Sequence, residues 1–221
     1  MVNRLAADRL VVALPKGRLL EEARTCLEQA GYGLRAGDND RQLLLPSAAP
    51  HLSYVLAKPG DVPVYVENGA CDLGIAGLDV LREHQPDLLE PLLLPFGYCR
   101  LAVAGPAARG DHPLRLEPNP RVATKFPRLT EAFFRSRGVS AEIIELSGSV
   151  ELAPLVDLSD LIVDLVQSGQ TLHDNGLREL RVVLHSQAVL VANRAAWRLK
   201  TAVIETFVAD LRRAVEEMSN A

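Results

Sequence analysis

Residues 160–177 read DLIVDLVQSGQTLHDNGL, and their pattern decides how the surrounding chain is organised. The apolar run DLIVDLV predicts a buried β-strand, although the carboxylates of Asp160 and Asp164 interrupt it. A polar loop around Gly169 follows, and a short helix is predicted to begin near Thr171. A strand, a glycine-containing loop and a helix in this order indicate one βα unit of an α/β protein.

The first part of the chain shows the same alternation. LVVAL (10–14) predicts a buried strand, and a helical spacing of apolar residues follows over about 18–30. Further on, helices are predicted over 62–68 and 77–84, with a strand between them at 72–76. Alternating strands and helices favour a largely parallel sheet.

The alternation restarts after Pro95, which indicates a second lobe. LRVVLHSQAVLVANRAA is predicted to form paired strands that return to the first lobe, and a helix of about 24 residues is predicted last. We therefore expect an α/β fold of two lobes with mostly parallel sheets around a hinged cleft, similar to type II periplasmic binding proteins, and a long C-terminal helix. Lobe I would comprise residues 1–95 and 182–221, and lobe II residues 96–181.

The composition excludes several classes of protein. Of the 221 residues, 48% are hydrophobic and 24% are charged, as in ordinary globular proteins. The net charge of −4 gives no basic field for nucleic acid, so anionic substrates must meet local positive charge. The apolar run 10–14 is too short for a signal peptide or a membrane span. Because the cysteines are odd in number and dispersed, we expect a cytoplasmic protein without a membrane partner.

The loop after DLIVDLV has the chemistry of a phosphate site. Backbone N–H groups at a helix start attract anions, Gly169 permits close approach, and Ser168 and Thr171 supply hydroxyl donors. Carboxylates on the preceding strand would repel a phosphate, but they accept hydrogen bonds from a vicinal diol. Together these groups predict a site for a ribose 5-phosphate. In the alternative interpretation, Thr171 and Asp174 form an ordinary helix cap and the aspartates are solvated.

Two further segments have a similar strand–loop–helix pattern. LPKGRL places Lys16 and Arg18 around Gly17 at a helix start, where side-chain charge and backbone donors converge. LSGSVEL (146–152) is a second glycine–hydroxyl turn suited to a phosphate or to nucleotide hydroxyls. The alternatives are a solvated Lys-Gly-Arg and a helix cap made by Ser147 or Ser149.

Four stretches resemble the ATP phosphoribosyltransferase family. One is the segment ELSGSVELAPLVDLSDLIVDLVQSGQTLHDNGL. It contains two acids separated by apolar residues and then Ser-Gly-x-Thr, a pattern similar to the phosphoribosyl pyrophosphate (PRPP) motif. LPKGRL, KPGDVPVYVENGACDLGIAG and RVATKFP match the family elsewhere, so the resemblance extends from Leu10 to about Asn193. Two positions depart from the family pattern: Ser168 stands where Thr is usual, and Lys58 where Arg is usual. The second change replaces a planar fork with a point charge.

The resemblance implies transfer of phosphoribose from PRPP to N1 of the adenine of ATP, with release of pyrophosphate. Implied transition-state residues are Arg18 and Arg41. Implied PRPP-binding residues are Asp160, Asp164, Ser168, Gly169, Gln170 and Thr171. Implied nucleotide-binding residues are Lys16, Gly17, Lys58, Asp72, Ser147, Gly148, Ser149 and Glu151. Mg²⁺ is implied as a cofactor that the substrate mostly holds.

The resemblance also implies a partner. The family's long form carries an added regulatory domain, whereas here the last predicted helix ends the sequence, so we expect the short form. That form works with a regulatory subunit resembling histidyl-tRNA synthetase, as a homodimer within a hetero-oligomer. Two rival functions stay open from the residues alone: a two-lobed solute-binding module, and a phosphoribosyltransferase for another base.

Overall fold

The computed structural model describes residues 9–35, 43–109 and 119–219, and the chain divides into two compact units. The terminal unit consists of Met1–Gly97 and Gln187–Ala221, and the inserted unit of Tyr98–Ser186. From the sequence we expected these changes after residues 95 and 181.

One six-stranded sheet forms the centre of the terminal unit in the described part of the chain, in the order β2-β3-β1-β4-β11-β5. Its strands are β1 (Leu10–Pro15), β2 (Leu44–Pro46), β3 (Leu52–Ala57), β4 (Leu73–Gly77), β5 (Leu89–Leu93) and β11 (Ala188–Ala192). Its helices are α1 (Arg18–Gln29), α2 (Val62–Glu67), α3 (Leu78–His84), α7 (Arg194–Leu199) and α8 (Thr201–Ser219). The helices predicted over 18–30, 62–68 and 77–84 are therefore confirmed.

Every residue of β1 is buried, because apolar layers cover both faces of this central strand. Val12 and Leu14 pack on one side with α1 and α8, while Val11 and Ala13 pack on the other side with α2. α1 turns Leu20, Ala23, Cys26 and Leu27 toward the sheet, which is the helical spacing read from the sequence. This packing fixes the loop between β1 and α1.

The inserted unit has a five-stranded sheet in the order β10-β6-β9-β7-β8, again in its described residues. The strands are β6 (Cys99–Pro106), β7 (Arg121–Thr124), β8 (Glu142–Glu145), β9 (Leu161–Val166) and β10 (Leu177–Ser186). The helices are α4 (Pro127–Arg135), α5 (Leu152–Leu155) and α6 (Gln170–Asp174). Phe133 and Phe134 of α4 cover one face, and Ala153 of α5 and Leu172 of α6 cover the other.

The α/β class is confirmed, but the sheets are mixed rather than mostly parallel. Strands joined through helices are parallel: β1 with β3 and β4, and β7 with β8 and β9. The strands on which the chain enters and leaves the inserted unit, β6 and β10, pair antiparallel, with Cys99 opposite Ser186. Entry and exit therefore lie at one end of that unit, which requires strands of opposite direction.

The predicted paired strands in LRVVLHSQAVLVANRAA are wrong. β10 pairs with β6 in the inserted unit, whereas β11 lies between β4 and β5 in the terminal unit. Gln187 stands between the two strands and Leu78 N donates to its carbonyl at 2.9 Å. The chain thus changes sheets at this residue instead of turning back in a hairpin.

The long C-terminal helix is confirmed as α8, but the predicted continuous helix of about 24 residues is interrupted. α7 ends at Leu199, and Lys200 adopts φ −125° and ψ 32° before α8 begins. The Lys200 side chain is buried and its Nζ donates to the carbonyl of Arg9 at 2.7 Å. Among the described residues, no helix is both long and apolar enough to cross a membrane.

Candidate active site

The loop between β9 and α6, residues 167–171, is called the phosphate loop below. Gly169 has φ 84° and ψ 0°, the left-handed conformation that side chains with a Cβ disfavour. A Cβ at this position would meet only Val166 Cγ1 at 3.8 Å, so the glycine is required by its backbone angle and not by lack of space. The Gly169 carbonyl accepts from His173 N at 3.1 Å and starts α6. The predicted strand, glycine loop and short helix are confirmed.

A cavity of ≈ 400 Å³ adjoins the phosphate loop. Of the residues expected to bind PRPP or nucleotide, six line it: Ser149, Glu151, Asp164, Ser168, Gly169 and Thr171. Gln170 does not line it, and its Nε2 donates to Asp174 Oδ1 at 2.6 Å. Ser147 and Gly148 precede the lining residues Ser149 and Glu151 but do not line it. The cavity therefore brings together the two glycine–hydroxyl turns that the sequence placed more than a dozen residues apart.

Asp164 is the carboxylate of β9 that faces this cavity. Its Oδ1 accepts from the backbone N–H of Leu165 at 2.8 Å. Burial raises the pKa of the Asp164 carboxyl above its ordinary value, and Glu151 acts in the same direction. The Leu165 hydrogen bond and the positive charge of Lys125 oppose that rise in pKa. The half-buried carboxylate therefore has acceptor capacity left for hydroxyl donors.

Lys125 is a cavity residue that we did not identify from the sequence. It follows β7 directly, and β7 is the parallel neighbour of β9, with Thr124 opposite Val163. The carboxyl ends of neighbouring parallel strands meet at one edge of a sheet, so Lys125 and Asp164 line the same cavity. RVATKFP was noted for its resemblance, but only the strand pairing shows that its lysine belongs to this site.

The structure does not bring Asp160 into the cavity. Asp160 precedes β9, at the opposite end of the strand from the phosphate loop. Its Oδ1 accepts from Arg121 Nη2 at 2.9 Å, and its Oδ2 accepts from Arg121 N at 2.8 Å. Both oxygens are thus bonded to the first residue of β7, and we leave Asp160 out of the proposed ligand set.

A second group of predicted residues lies on the terminal unit, where β1 and β3 end. Pro15 is paired with Ala57 in these parallel strands, so Lys16 and Lys58 leave the sheet side by side. Gly17 has φ 87° and precedes α1, whose first residue is Arg18. Lys16, Gly17, Arg18 and Lys58 are exposed, and they are called the basic edge below.

In the described part of the chain, none of the three cationic side chains of the basic edge is paired with a carboxylate. Unpaired cations beside a helix start are suited to bind an anion. Arg41, the other basic residue expected at the site, lies outside the described residues.

Asp72 lies at the other end of the same sheet, before β4 begins. Its Oδ2 accepts from Lys200 Nζ at 2.9 Å and from Val11 N at 2.8 Å. These bonds join the junction of α7 and α8 to the start of β1 and β4. The Asp72 carboxylate therefore has a structural role, and it does not lie at the basic edge.

The donors of this chain do not form a dedicated metal centre among the described residues, where no group of three or more His, Cys, Asp or Glu side chains has suitable geometry. The carboxylates that line the cavity are Asp164 and Glu151. Such a set fits a hard cation held mainly by substrate oxygens and water.

A carboxylate, a glycine–hydroxyl loop and a lysine around one cavity of an α/β fold are suited to bind a phosphorylated sugar, the kind of substrate that the class of phosphoribosyltransferases uses. The family model described as HisG, ATP phosphoribosyltransferase, matches residues 58–213. The chain belongs to the ATP phosphoribosyltransferase family.

Relatives of that name match nearly the whole chain. The protein from Thermoanaerobacter sp. (strain X514) is 44% identical over 210 residues, which cover 95% of this chain and 97% of the relative. The protein from Sorangium cellulosum is 48% identical over 206 residues, which cover 93% of this chain and 95% of the relative.

Solved structures agree with the fold. A chain of the ATP phosphoribosyl transferase (HisG:HisZ) complex from Thermotoga maritima matches with a TM-score of 0.81 and 36% identity, covering 94% of this chain and 99% of that one. The alkanesulfonate-binding protein SsuA from Xanthomonas axonopodis pv. citri matches with a TM-score of 0.60 and 14% identity, covering 94% of this chain and 73% of that one. The second likeness concerns the fold alone, and it is the periplasmic-binding-protein fold expected from the sequence.

Proposed function

We infer that this chain is an ATP phosphoribosyltransferase that catalyses the first step of histidine biosynthesis. N1 of the ATP adenine attacks C1 of PRPP, the bond from C1 to the pyrophosphate oxygen breaks, and its electron pair leaves with pyrophosphate. The product is N1-(5-phosphoribosyl)-ATP. No protein nucleophile is required, because the attacking nitrogen belongs to the substrate.

The single observation that carries this function is the cavity in which Asp164 and Lys125 adjoin the phosphate loop. We propose that the 5-phosphate of PRPP binds the backbone and hydroxyls of Ser168, Gly169 and Thr171. Asp164 would accept hydrogen bonds from the ribose hydroxyls. The geometry supports these roles because the carboxylate of Asp164, near the end of β9, and the loop that follows β9 line the same cavity.

Lys125 is suited to a second task in the same cavity. Its ammonium group balances the charge of Asp164 and of a bound phosphate, so both anions are accommodated at one site. Ser149 and Glu151 line the cavity from the neighbouring turn and supply further polar groups. We propose that they contact the nucleotide or the pyrophosphate.

We propose that the basic edge binds phosphate oxygens, including those of the departing pyrophosphate. Arg18 would stabilise the departing pyrophosphate, Lys16 and Lys58 would hold nucleotide phosphates, and Gly17 leaves the backbone accessible. We propose the same leaving-group role for Arg41. Lys16, Arg18 and Lys58 are exposed and pair with no carboxylate among the described residues, which supports this assignment.

Mg²⁺ is proposed as the cofactor, carried mainly by the pyrophosphate of PRPP, with Glu151 as its protein contact. When bound, it neutralises charge on the leaving pyrophosphate. This chain's own residues still have to hold N1 and C1 in line and exclude water from the same carbon.

We also propose that the chain works in the cytoplasm as a homodimer within a hetero-oligomer, together with a regulatory subunit resembling histidyl-tRNA synthetase. The likeness to a chain of the Thermotoga maritima HisG:HisZ complex supports this proposal. ATP and PRPP are its substrates, and nucleic acid and membranes are not among its proposed partners.

The test is to incubate the purified full chain with ATP, PRPP and Mg²⁺ and to follow pyrophosphate release and the nucleotide products by mass. We expect an adduct with the mass of phosphoribosyl-ATP and an equal amount of pyrophosphate. Adenine, AMP and inosine triphosphate serve as control acceptors. PRPP binding without pyrophosphate release, also in the presence of the regulatory subunit, would contradict the proposed reaction and favour a binding module.

A further inference from the structure

Arg100 connects the phosphate loop to the edge strand of the inserted sheet. Its Nη1 donates to the carbonyl of Gln167, the first residue of the loop, at 3.0 Å. Its Nε donates to Glu179 Oε2 at 2.7 Å, and its Nη2 lies 2.7 Å from the same oxygen. Arg100 lies on β6 and Glu179 on the neighbouring edge strand β10, so one guanidinium links these two strands to the loop that follows β9.

The register places this ion pair on the cavity side of the sheet. Ala102 pairs with Asp164, and Arg100 is two residues from Ala102 on β6. Glu179 pairs with Ala104 across the other side of β6. Paired residues and residues two apart share one face, so Arg100 and Glu179 lie on the face of Asp164.

We propose that Arg100 is a positioning residue for PRPP, which holds the phosphate loop in the shape that receives the 5-phosphate. Glu179 fixes the direction of the guanidinium, and the guanidinium fixes the Gln167 carbonyl. A loop that is already held in its bound shape loses less conformational freedom on binding, and its affinity is correspondingly higher. This inference rests on the proposed function, because it takes PRPP as the ligand of the loop.

A purely structural role would predict a different outcome. β6 pairs through its backbone with β9 from Arg100 to Ala104 and with β10 from Cys99 to Pro106. The pairing with β10 contains two register shifts, but neither pairing uses the Arg100 side chain. The Arg100 and Glu179 side chains are 31% and 26% exposed, so the core is not formed by them. Loss of the guanidinium should therefore disturb the loop and leave the sheet intact.

The experiment is a calorimetric titration of Arg100→Gln, Arg100→Lys and Glu179→Gln with PRPP and Mg²⁺, and separately with ATP. For Arg100→Gln we expect PRPP affinity about ten-fold weaker, as for loss of one charge-assisted hydrogen bond, with ATP affinity unchanged. Arg100→Lys keeps the positive charge but loses the planar guanidinium, so its PRPP affinity should lie between those of the unmodified chain and Arg100→Gln. The double variant with Glu179→Gln should bind PRPP no more weakly than Arg100→Gln alone.

Arg82→Gln is the matched control, since Arg82 makes a similar two-bond pair with Glu90 in the terminal unit, at 2.6 and 2.8 Å. Its PRPP affinity should equal that of the unmodified chain. Unchanged PRPP affinity in Arg100→Gln, or an equal loss for ATP together with a lower urea midpoint, would overturn the proposal. These titrations need no turnover, so an unmodified chain that binds PRPP but forms no adduct contradicts only the proposed reaction.

Discussion

Asp160 and Arg121 form a two-bond ion pair at the end of the inserted sheet where β7 and β9 begin, with Arg121 Nη2 2.9 Å from Asp160 Oδ1. Asp164 follows four residues later, about 13 Å along an extended strand. It faces the cavity beside the phosphate loop. The two acids of one short sequence therefore have different partners, and substitution should separate their roles.

Asp164→Asn should weaken PRPP binding about ten-fold or more, because a neutral amide is a poorer acceptor for the ribose hydroxyls. Calorimetry with PRPP and Mg²⁺ measures this directly. Asp160→Asn is the control: we expect it to lower the urea midpoint slightly and to leave PRPP affinity unchanged. Equal losses of affinity in both variants would return Asp160 to the ligand set.

Gly169→Ala should weaken PRPP binding through the backbone. The new Cβ has space, with Val166 Cγ1 at 3.8 Å, but φ 84° costs an alanine about 1–2 kcal/mol. Part of that strain would be relieved by a change of loop shape, which lowers affinity for the phosphate. Gly138→Ala is matched, since Gly138 has φ 69° and no atom within 4 Å of the added Cβ. For Gly138→Ala we expect a similar loss of stability but unchanged PRPP affinity. If Gly169→Ala also bound PRPP as tightly as Gly138→Ala, the loop would be excluded as the phosphate site.

Local patterns were sufficient for the elements that carry the phosphate loop. The periodic apolar residues of α1 and the run of β9 depend only on neighbours in the sequence, as does the need for glycine at position 169. The position of Asp160 outside the cavity could not be predicted, because an apolar run does not reveal which of its acids lies at the end that faces the cavity. That end is decided by the direction of β7 and β9 in the sheet.

The remaining differences come from contacts between distant residues. Lys125 lies at the site only because β7 pairs with β9. β10 pairs with β6, which comes about 80 residues earlier in the chain, and not with β11, which follows it directly. The last helix breaks at Lys200, where the buried ammonium reaches Asp72, 128 residues away. An ion pair over that separation leaves no periodic signal in the sequence.

Lys125→Met should shift the pH dependence of PRPP binding. Asp164 must be ionised to accept hydrogen bonds from both hydroxyls, and burial already raises its pKa. The charge of Lys125 lowers that pKa, so its removal raises the pKa further. Binding is lost as the pH falls through the pKa, and the midpoint of this loss should therefore move to higher pH. Titrations across the acid range measure it, with Lys125→Arg as the control that keeps the midpoint. A uniform loss with an unchanged midpoint would limit Lys125 to direct phosphate contact.

Asp72→Asn should destabilise the terminal unit without changing ATP affinity. The Asp72 and Lys200 side chains are only 13% and 9% exposed, and the substitution removes the carboxylate charge that compensates the buried ammonium, at a cost of about 3–5 kcal/mol. Urea unfolding gives the change in free energy. Arg82→Gln breaks an exposed pair and should cost at most about 1 kcal/mol. Weakened ATP binding in the folded protein would restore Asp72 as a nucleotide contact.

Arg18→Gln should slow the chemical step far more than it weakens PRPP binding. A group that stabilises the leaving pyrophosphate acts mainly in the transition state, and its loss typically lowers kcat about 10²–10³-fold. Single-turnover measurement of pyrophosphate release separates this effect from substrate binding. Arg24→Gln is the control, because Arg24 is an exposed arginine of the same helix that lies beyond the basic edge, and its kcat should be unchanged. An increase in KM for ATP at constant kcat would instead assign Arg18 to nucleotide binding, because such a change removes an interaction made equally in the ground state and the transition state.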